Sequence, residues 1–248
     1  MAKVWLITGC SRGLGRALAE AVLELGDLLV ATARDPSSLH DLVTRYGPSR
    51  VLATRLDVTD PSSAAAAVTA CTATFGRLDV LVNNAGYAAA AAAVEDTSLA
   101  SFRAQVEANF FGVVHVTKAA LPTLRTQDGG GRIIQVSSVG GRVRSPGLAA
   151  YQSSKWAVGG FSTVLAAEVA PLGVHVTVLE PGGIRRTGSR AWAWRRSASR
   201  TARRCRRSVP EPPLRMLLGE DAVEIGKMAA KNLAASDEKW EQVARLKL

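Results

Sequence analysis

Short apolar runs alternate along this chain with longer segments of helical periodicity. The short runs are rich in Val, Ile and Leu and are bounded by Gly, Asn and Asp, which is typical of buried strands. Strands are predicted near residues 3–8, 28–33, 51–56, 79–82, 132–137, 174–179 and 214–218. Helices are predicted near residues 14–25, 37–46, 62–75, 99–125, 149–170, 221–234 and 237–246. The alternation predicts an α/β fold: a single doubly wound Rossmann-type domain with about seven parallel strands and helices on both faces.

Length and composition agree with one domain. The chain has 248 residues and is 47% hydrophobic, and single α/β domains routinely reach ~250 residues. No run of eighteen apolar residues occurs, so no transmembrane helix is expected, and the N-terminus enters the first strand directly, unlike a signal peptide. The cysteines Cys10, Cys71 and Cys205 lack metal-site spacing and a disulfide framework. A cytoplasmic setting without a metal site is therefore expected.

The excess of positive charge is confined to one tract. The formal net charge is +10, yet residues 185–207 contain ten arginines and no acidic residue. The remainder of the chain carries 21 basic and 21 acidic residues, which balance. The overall charge therefore describes this tract and says little about the rest of the surface.

A glycine-rich loop follows the first predicted strand and opens the first helix. Its sequence is Thr8-Gly9-Cys10-Ser11-Arg12-Gly13-Leu14-Gly15. Glycines at this position allow a tight turn and close backbone approach to a pyrophosphate, and the helix N-terminus adds free N–H groups. The alternative is a purely structural turn, which the placement between strand and helix makes less attractive.

Two arginines bear on which dinucleotide would bind. At the end of the second strand Arg34 occupies a position where an acid would bind the ribose 2′-hydroxyl of NAD, whereas an Arg accommodates the 2′-phosphate of NADP. Arg12 in the glycine loop would add a second guanidinium. Both could instead be ordinary surface arginines, and Asp35 keeps NAD open as the alternative.

The third and fourth strands also end in polar motifs. Asp57, followed by Val58, could accept from an adenine amino group or merely cap its loop. The fourth strand ends in Asn83-Asn84-Ala85-Gly86, where the asparagines can tie strand ends together and the small residues leave room for a ribose. A simple turn is the alternative. The following alanine run, 88–93, is predicted to line a loop.

A tyrosine, a lysine and a serine form the candidate catalytic group. Tyr151 and Lys155 are four residues apart, so on a helix they share a face and the ammonium would favour the phenolate. Ser138 ends the fifth predicted strand, from which its hydroxyl could hold a carbonyl oxygen. The pattern predicts acid/base chemistry at a carbonyl or carbinol. The alternatives are a core tyrosine, a solvated lysine and a strand-end serine.

Taken in order, these motifs resemble the short-chain dehydrogenase/reductase family, and the arginine pair looks like its NADP-preferring branch. The resemblance runs over about residues 3 to 185 and includes Asn109 in Asn109-Phe110-Phe111-Gly112 and the Pro181-Gly182 pair. It implies an NADP(H)-dependent oxidoreductase for a small-molecule ketone, aldehyde or alcohol, with the helices carrying Asn109 and Tyr151 as a homo-oligomer interface.

The resemblance also implies a role for each residue. Tyr151 would donate or accept the proton, Lys155 would assist it and bond the nicotinamide ribose, and Ser138 would orient the carbonyl. Asn109 would hold a helix kink and a proton-relaying water. Pro181, Gly182 and Ile184 would lie beside the nicotinamide.

The family pattern breaks at the substrate loop. Where relatives carry a Thr five residues after the proline, this chain has Arg186, with Thr187 one residue late, and the Arg-rich segment 186–213 follows. Three interpretations are open: a shifted reading frame with recovery near Leu214, a solvated loop, or a nucleic-acid site in which Trp192 and Trp194 stack on bases. Nucleic-acid binding is the least favoured. Alternatively, the chain binds NADP(H) with impaired catalysis.

Overall fold

A parallel sheet with helices on both faces forms the framework of the protein. The computed structural model describes residues 2–182 and 213–244, with side chains through residue 238. The strands are β1 Val4–Ile7, β2 Leu28–Ala33, β3 Val51–Arg55, β4 Val80–Asn83, β5 Gly131–Val136, β6 Val174–Pro181 and β7 Arg215–Leu218. Their order in the sheet is β3-β2-β1-β4-β5-β6-β7, and every neighbouring pair is parallel. The predicted doubly wound Rossmann-type fold with seven parallel strands is confirmed.

Between β1 and β6 the helices lie between successive strands, and the last described helix follows β7. They are α1 Gly13–Glu24, α2 His40–Tyr46, α3 Pro61–Phe75, α4 Leu99–Val106, α5 Gly112–Thr126, α6 Ala149–Val169 and α7 Glu220–Ala244. Between α4 and α5 lies a π-helical segment, Glu107–Phe111, and short 3₁₀ turns occur at Pro36–Leu39, Val139–Gly141 and Ala170–Leu172. Within the described residues, no helix has both the length and the apolar character that spanning a membrane requires.

Alternation along the strands separates two apolar cores. In β1, Trp5 and Ile7 join the core on the side of α1 and α2, whereas Val4 and Leu6 join the core beneath α3 and α5. All four side chains are at most 1% exposed. Because both faces of the sheet are buried, inward residues on each face are apolar, and the strands therefore form continuous apolar runs in the sequence.

Four helical predictions were wrong in detail. The helix predicted over 99–125 is divided by the π segment, because Asn109 is held by a distant loop (below). The helices predicted over 221–234 and 237–246 form one helix, α7, which is described as far as Ala244. The helix predicted over 37–46 begins with the 3₁₀ turn Pro36–Leu39, where Asp35 caps the first turn. Strand ends differ from prediction by one or two residues.

The parallel topology collects the polar motifs at one edge. In a parallel sheet every strand ends at the same side, and loops following the strands meet there. The residues after β1, β3, β4, β5 and β6 therefore converge, and they include nearly all of the sequence-predicted site. Ile184 and residues 186–212 of the Arg-rich segment lie outside the described part of the chain.

Candidate active site

The glycine-rich loop leaves the first turn of α1 open at its N-terminus. Arg12 occupies the N-cap position without a side-chain hydrogen bond, and no acidic residue lies in the first turn. Gly13 has a left-handed φ of +64°, and a Cβ built on it would meet nothing within 4 Å. Leu14 is half-buried against the core. The start of α1 therefore has no side-chain cap and has open space beside Gly13, which an anionic group could occupy.

Gly15 is required for close packing rather than for backbone conformation. A Cβ at this position would lie 2.3 Å from the Gly9 carbonyl oxygen and 2.4 Å from Asn84 Nδ2. Because both atoms belong to tightly held groups, any larger residue would push α1 away from the loop. This approach brings the helix N-terminus against the end of β1.

Asn84 and Thr8 brace the glycine loop against β4. Asn84 Nδ2 donates to the Thr8 carbonyl at 2.8 Å and to the Gly9 carbonyl at 3.2 Å. The Thr8 hydroxyl accepts from the backbone N–H groups of Asn84 and Ala85 at 2.8 and 2.9 Å. The prediction that asparagines tie strand ends together therefore describes Asn84 well.

The side chain of Asn83 points into the protein. It is 2% exposed, and its Nδ2 donates to Thr117 Oγ1 and to Gln135 Oε1, both at 2.9 Å. These bonds join β4 to α5 and β5. Any contact between Asn83 and a bound cofactor would therefore involve its backbone, while Gly86 is exposed at the sheet edge.

The polar groups of the glycine loop and of the turn after β2 differ in how exposed they are. Arg12, Ser11 and Arg34 are exposed. The Asp35 carboxylate instead turns back on its own chain, where it accepts from the Ser37 N–H at 3.0 Å and the Ser37 hydroxyl at 2.8 Å. These bonds lower the pKa of Asp35. Each of the two Asp35 oxygens accepts one of these bonds, and the carboxylate therefore caps the start of the 3₁₀ turn.

Asp57 caps its loop through one oxygen, and within the described residues the other oxygen has no hydrogen bond. Its Oδ1 accepts from the N–H of Thr59 at 3.1 Å and from the Thr59 hydroxyl at 2.8 Å, and these bonds lower its pKa. The adjacent Val58 packs under the start of α5, where a Cβ on Gly112 would lie 2.7 Å from Val58 Cγ2. The capping alternative is thus observed, and Oδ2 is left for a further donor.

Ser138 and Tyr151 both lie beside Gly140. A Cβ built on Gly140 would be 3.3 Å from Ser138 Oγ and 3.5 Å from Tyr151 Cε1. Ser138 caps the 3₁₀ turn Val139–Gly141, and its Oγ accepts the Gly140 N–H at 3.0 Å. Because the Ser138 oxygen accepts from the backbone, its own hydrogen is free to be donated outward.

Lys155 is buried beneath the tyrosine. It is 5% exposed, its Nζ donates to the Val136 carbonyl at 2.9 Å, and Nζ lies 5.9 Å from the centre of the Tyr151 ring. Burial lowers the pKa of the Lys155 ammonium to about 8. The predicted sharing of one helix face is observed: α6 carries both residues, and the ammonium is directed at the end of β5.

Asn109 anchors the loop that follows β4. Its Oδ1 accepts from the Tyr87 N–H at 2.8 Å, and its Nδ2 donates to the Tyr87 carbonyl at 2.8 Å and to Ser154 Oγ at 3.1 Å. The residue is fully buried in the π-helical segment. A π-helical segment therefore lies at the position where the resemblance implies a kink. Ser154, which sequence reasoning missed, lies within the Tyr-x-x-x-Lys spacer.

A cleft of about 280 Å³ opens beside Tyr151. Its wall is mostly small side chains and includes Ala89, Ala90 and Ala92 of the alanine run together with Ala149 and Ala150. This run is a loop, as predicted. Its hydrogen bonds to distant residues include one from the Ala89 N–H to Gln105 Oε1 at 3.0 Å and one from the Ala92 N–H to the Gly147 carbonyl at 3.1 Å.

Pro181 and Gly182 end β6 at the same edge. Pro181 is buried and pairs with Leu218 of β7, and the Gly182 N–H donates to the Leu218 carbonyl at 3.2 Å. The structure thus brings together the glycine loop, Gly86, Asn109, Ser138, Tyr151, Lys155 and Gly182, with Asp57 and Arg34 along the same edge.

Comparison with known proteins agrees with this arrangement. The family model for short chain dehydrogenases matches residues 3–196. A relative in the fungus Botryotinia fuckeliana (strain B05.10), oxidoreductase BOA17, is 50% identical over 277 aligned positions that cover 98% of each chain. Since the alignment is longer than this chain, the fungal protein contains segments that this chain lacks.

Solved structures share the fold over most of the chain. A short-chain dehydrogenase from Streptomyces avermitilis superposes with a TM-score of 0.88 at 36% identity, over 99% of this chain and 98% of its own. An alcohol dehydrogenase from Thermococcus sibiricus, complexed with 5-hydroxy-NADP, has a TM-score of 0.79 at 26% identity, over 88% and 96%. On its fold, its ordered motifs and these matches, the chain belongs to the short-chain dehydrogenase/reductase family of oxidoreductases.

Proposed function

We propose that this protein interconverts a ketone or aldehyde and the corresponding alcohol with NADP(H), using Tyr151 as the acid/base. The observation that carries the proposal is the grouping of Ser138 and Tyr151 around Gly140, above buried Lys155 and beside an open cleft. If Tyr151, Ser138 and Lys155 had unrelated structural roles, nothing would require a phenol, a hydroxyl and an ammonium to lie together at one sheet edge.

In the reductive direction, Ser138 and Tyr151 would both donate to the substrate oxygen. The Ser138 hydroxyl is oriented for this by the Gly140 N–H that it accepts. As negative charge develops on the oxygen, the Tyr151 proton transfers to it, and the nearby Lys155 ammonium stabilises the resulting phenolate. Bound NADPH would supply the hydride.

The residues present fit NADP(H). The uncapped first turn of α1 and the open space at Gly13 suit a pyrophosphate. Exposed Arg12 and Arg34 suit a 2′-phosphate, whereas Asp35, which would favour the 2′-hydroxyl of NAD, is engaged by Ser37. The NADP-derived ligand of the Thermococcus enzyme supports the same choice.

Lys155 has donors to spare for a bound cofactor or a water. Its ammonium carries three hydrogens, and one is used by the Val136 carbonyl. The remaining two would be directed towards the space between Tyr151 and Gly86, since a Cβ on Gly86 would lie 3.6 Å from Lys155 Nζ. We assign these hydrogens to the nicotinamide ribose and to a proton-relaying water held near Asn109.

The experiment is a panel of ketones, aldehydes and secondary alcohols assayed with NADP(H) and NAD(H) side by side, together with cofactor Kd values. Turnover with NADP(H) at a kcat/KM at least about tenfold above that with NAD(H) is expected. Tight NADPH binding without turnover across the panel would favour a binding protein with impaired catalysis, and preference for NAD(H) would contradict the cofactor assignment.

A further inference from the structure

A buried carboxylate lies behind the candidate active site and contacts two guanidinium groups. Glu180, on β6 directly before Pro181, is fully buried. Arg142 Nε donates to Glu180 Oε2 at 2.8 Å, and a second Arg142 nitrogen lies 2.6 Å from the same oxygen. From the other side, Arg215 Nε donates to Oε1 at 3.0 Å and its terminal nitrogen contacts that oxygen as well.

The two arginines belong to different parts of the fold. Arg215 begins β7, the last strand of the sheet. Arg142 ends the 3₁₀ turn that Ser138 begins, and the Gly141 and Arg142 N–H groups donate to the Ser138 and Val139 carbonyls, both at 2.9 Å. One carboxylate therefore connects the Ser138 turn, the end of β6 and β7.

The Ser138 turn is held on its inner side as well. A Cβ on Gly141 would lie 3.0 Å from the Lys155 carbonyl oxygen and 3.1 Å from Ser137 Oγ. Ser137 Oγ donates to that same carbonyl at 3.2 Å. The turn thus rests on α6, while the ion pair from Arg142 to Glu180 fixes its far end. The Ser138 oxygen has little freedom while both attachments are intact.

We infer that Arg142 is a positioning residue for Ser138: its ion pair with Glu180 sets the turn so that the serine hydroxyl meets the substrate oxygen beside Tyr151. Arg142 itself does not touch the reacting atoms. Its catalytic consequence rests on the proposed function, whereas its effect on the turn does not. Arg215 contacts the other oxygen of Glu180 from β7 and, within the described residues, has no bond to the Ser138 turn.

Arg142→Met is the informative change, because Glu180 then keeps Arg215 as a partner and the buried charge stays compensated. Arg215→Met is the matched control, since it removes one guanidinium from the same carboxylate. Arg142→Lys, which keeps a positive charge and a donor near Glu180, is the conservative variant. Melting temperatures of all three establish that each variant is folded.

The first readout does not need turnover. Amide hydrogen exchange of the peptide covering residues 138–142 should rise at least about tenfold in Arg142→Met, and should stay near wild type in Arg215→Met. Unchanged exchange in folded Arg142→Met would overturn the inference. If the wild-type protein reduces no carbonyl, the proposed function fails, and this readout still decides whether Arg142 holds the turn.

The second readout is a double-mutant cycle with Ser138→Ala. Arg142→Met should lower kcat about 10- to 100-fold in the wild-type background, because small displacements of a reacting group are costly, with NADPH Kd nearly unchanged. In the Ser138→Ala background the same change should have almost no effect, and Arg142→Lys should restore part of kcat. Equal losses in both backgrounds would show a general structural role and overturn the assignment.

Discussion

Lys155 Nζ donates a hydrogen bond to the Val136 carbonyl at 2.9 Å, so the ammonium of the candidate catalytic lysine is bonded to the end of the neighbouring strand. Val136 is the last residue of β5 and Lys155 lies in the second turn of α6. This bond places the charge under Tyr151, and no carboxylate of the described residues pairs with it. Burial without an opposite charge is the reason that the pKa of Lys155 falls to about 8.

The first prediction concerns stability and pH. The unfolded chain binds the Lys155 proton more tightly than the folded protein, so this group makes the free energy of unfolding rise between pH 8 and 10.5. The contribution is about 3 kcal/mol across this range. Lys155→Met should remove this rise, measured by urea unfolding across that range. The control is Lys118→Met, an exposed lysine of α5; equal pH profiles in both variants would contradict the assignment.

The second prediction concerns the choice of dinucleotide. Arg34→Ala should raise the Kd for NADPH about tenfold and leave the Kd for NADH nearly unchanged, because only NADPH carries the 2′-phosphate. Fluorescence titration of both cofactors provides the measurement. Arg103→Ala, at an exposed position on α4, is the control and should alter neither Kd. Equal weakening of both cofactors by Arg34→Ala would mean that the guanidinium does not read the 2′ position.

The third prediction separates two glycines of the loop. Gly15→Ala places a Cβ 2.3 Å from the Gly9 carbonyl oxygen, so it should displace α1 and abolish NADPH binding. Gly13→Ala meets open space and should cost only the left-handed strain, about 1–2 kcal/mol in unfolding free energy. Gly160→Ala, in open space on α6, should stabilise by about 1 kcal/mol. Tight NADPH binding by Gly15→Ala would be incompatible with this packing.

The fourth prediction concerns the Asn109 anchor. Asn109→Leu removes three hydrogen bonds and should speed amide exchange in residues 86–89 while lowering the melting temperature. Gln105→Met, which removes the single bond to Ala89, should have a smaller effect confined to the alanine run. Equal effects of the two substitutions would show that the loop does not depend mainly on Asn109.

Much of the fold could be predicted from the sequence because most elements have a pattern in their own residues that identifies them. Continuous apolar runs identified buried strands, and the glycine loop, Ser138 and the Tyr151–Lys155 spacing stand at strand ends or on one helix face. The last strand, β7, was predicted as well, because an apolar run at 214–218 resumes after the Arg-rich segment. The site was therefore predictable as a set of positions along one sheet edge.

The features that escaped prediction depend on contacts between distant residues. The helix over 99–125 divides because Asn109 bonds Tyr87, and periodicity carries no trace of that bond. Glu180 pairs with Arg142 and Arg215, 38 and 35 residues away, which no local pattern connects. The buried bonds of Asn83 to Thr117 and Gln135, and the bonds of Asn84 to the glycine loop, also depend on residues of other elements.

The central claim is that Tyr151 transfers the proton in an NADPH-dependent carbonyl reduction. Tyr151→Phe keeps the ring and removes only the hydroxyl, so it should fold and bind NADPH as the wild type does while single-turnover reduction slows by at least about 100-fold. That rate, measured at saturating NADPH with the best ketone of the panel, tests the claim most directly. A Tyr151→Phe enzyme that reduces the ketone at the wild-type rate would contradict it.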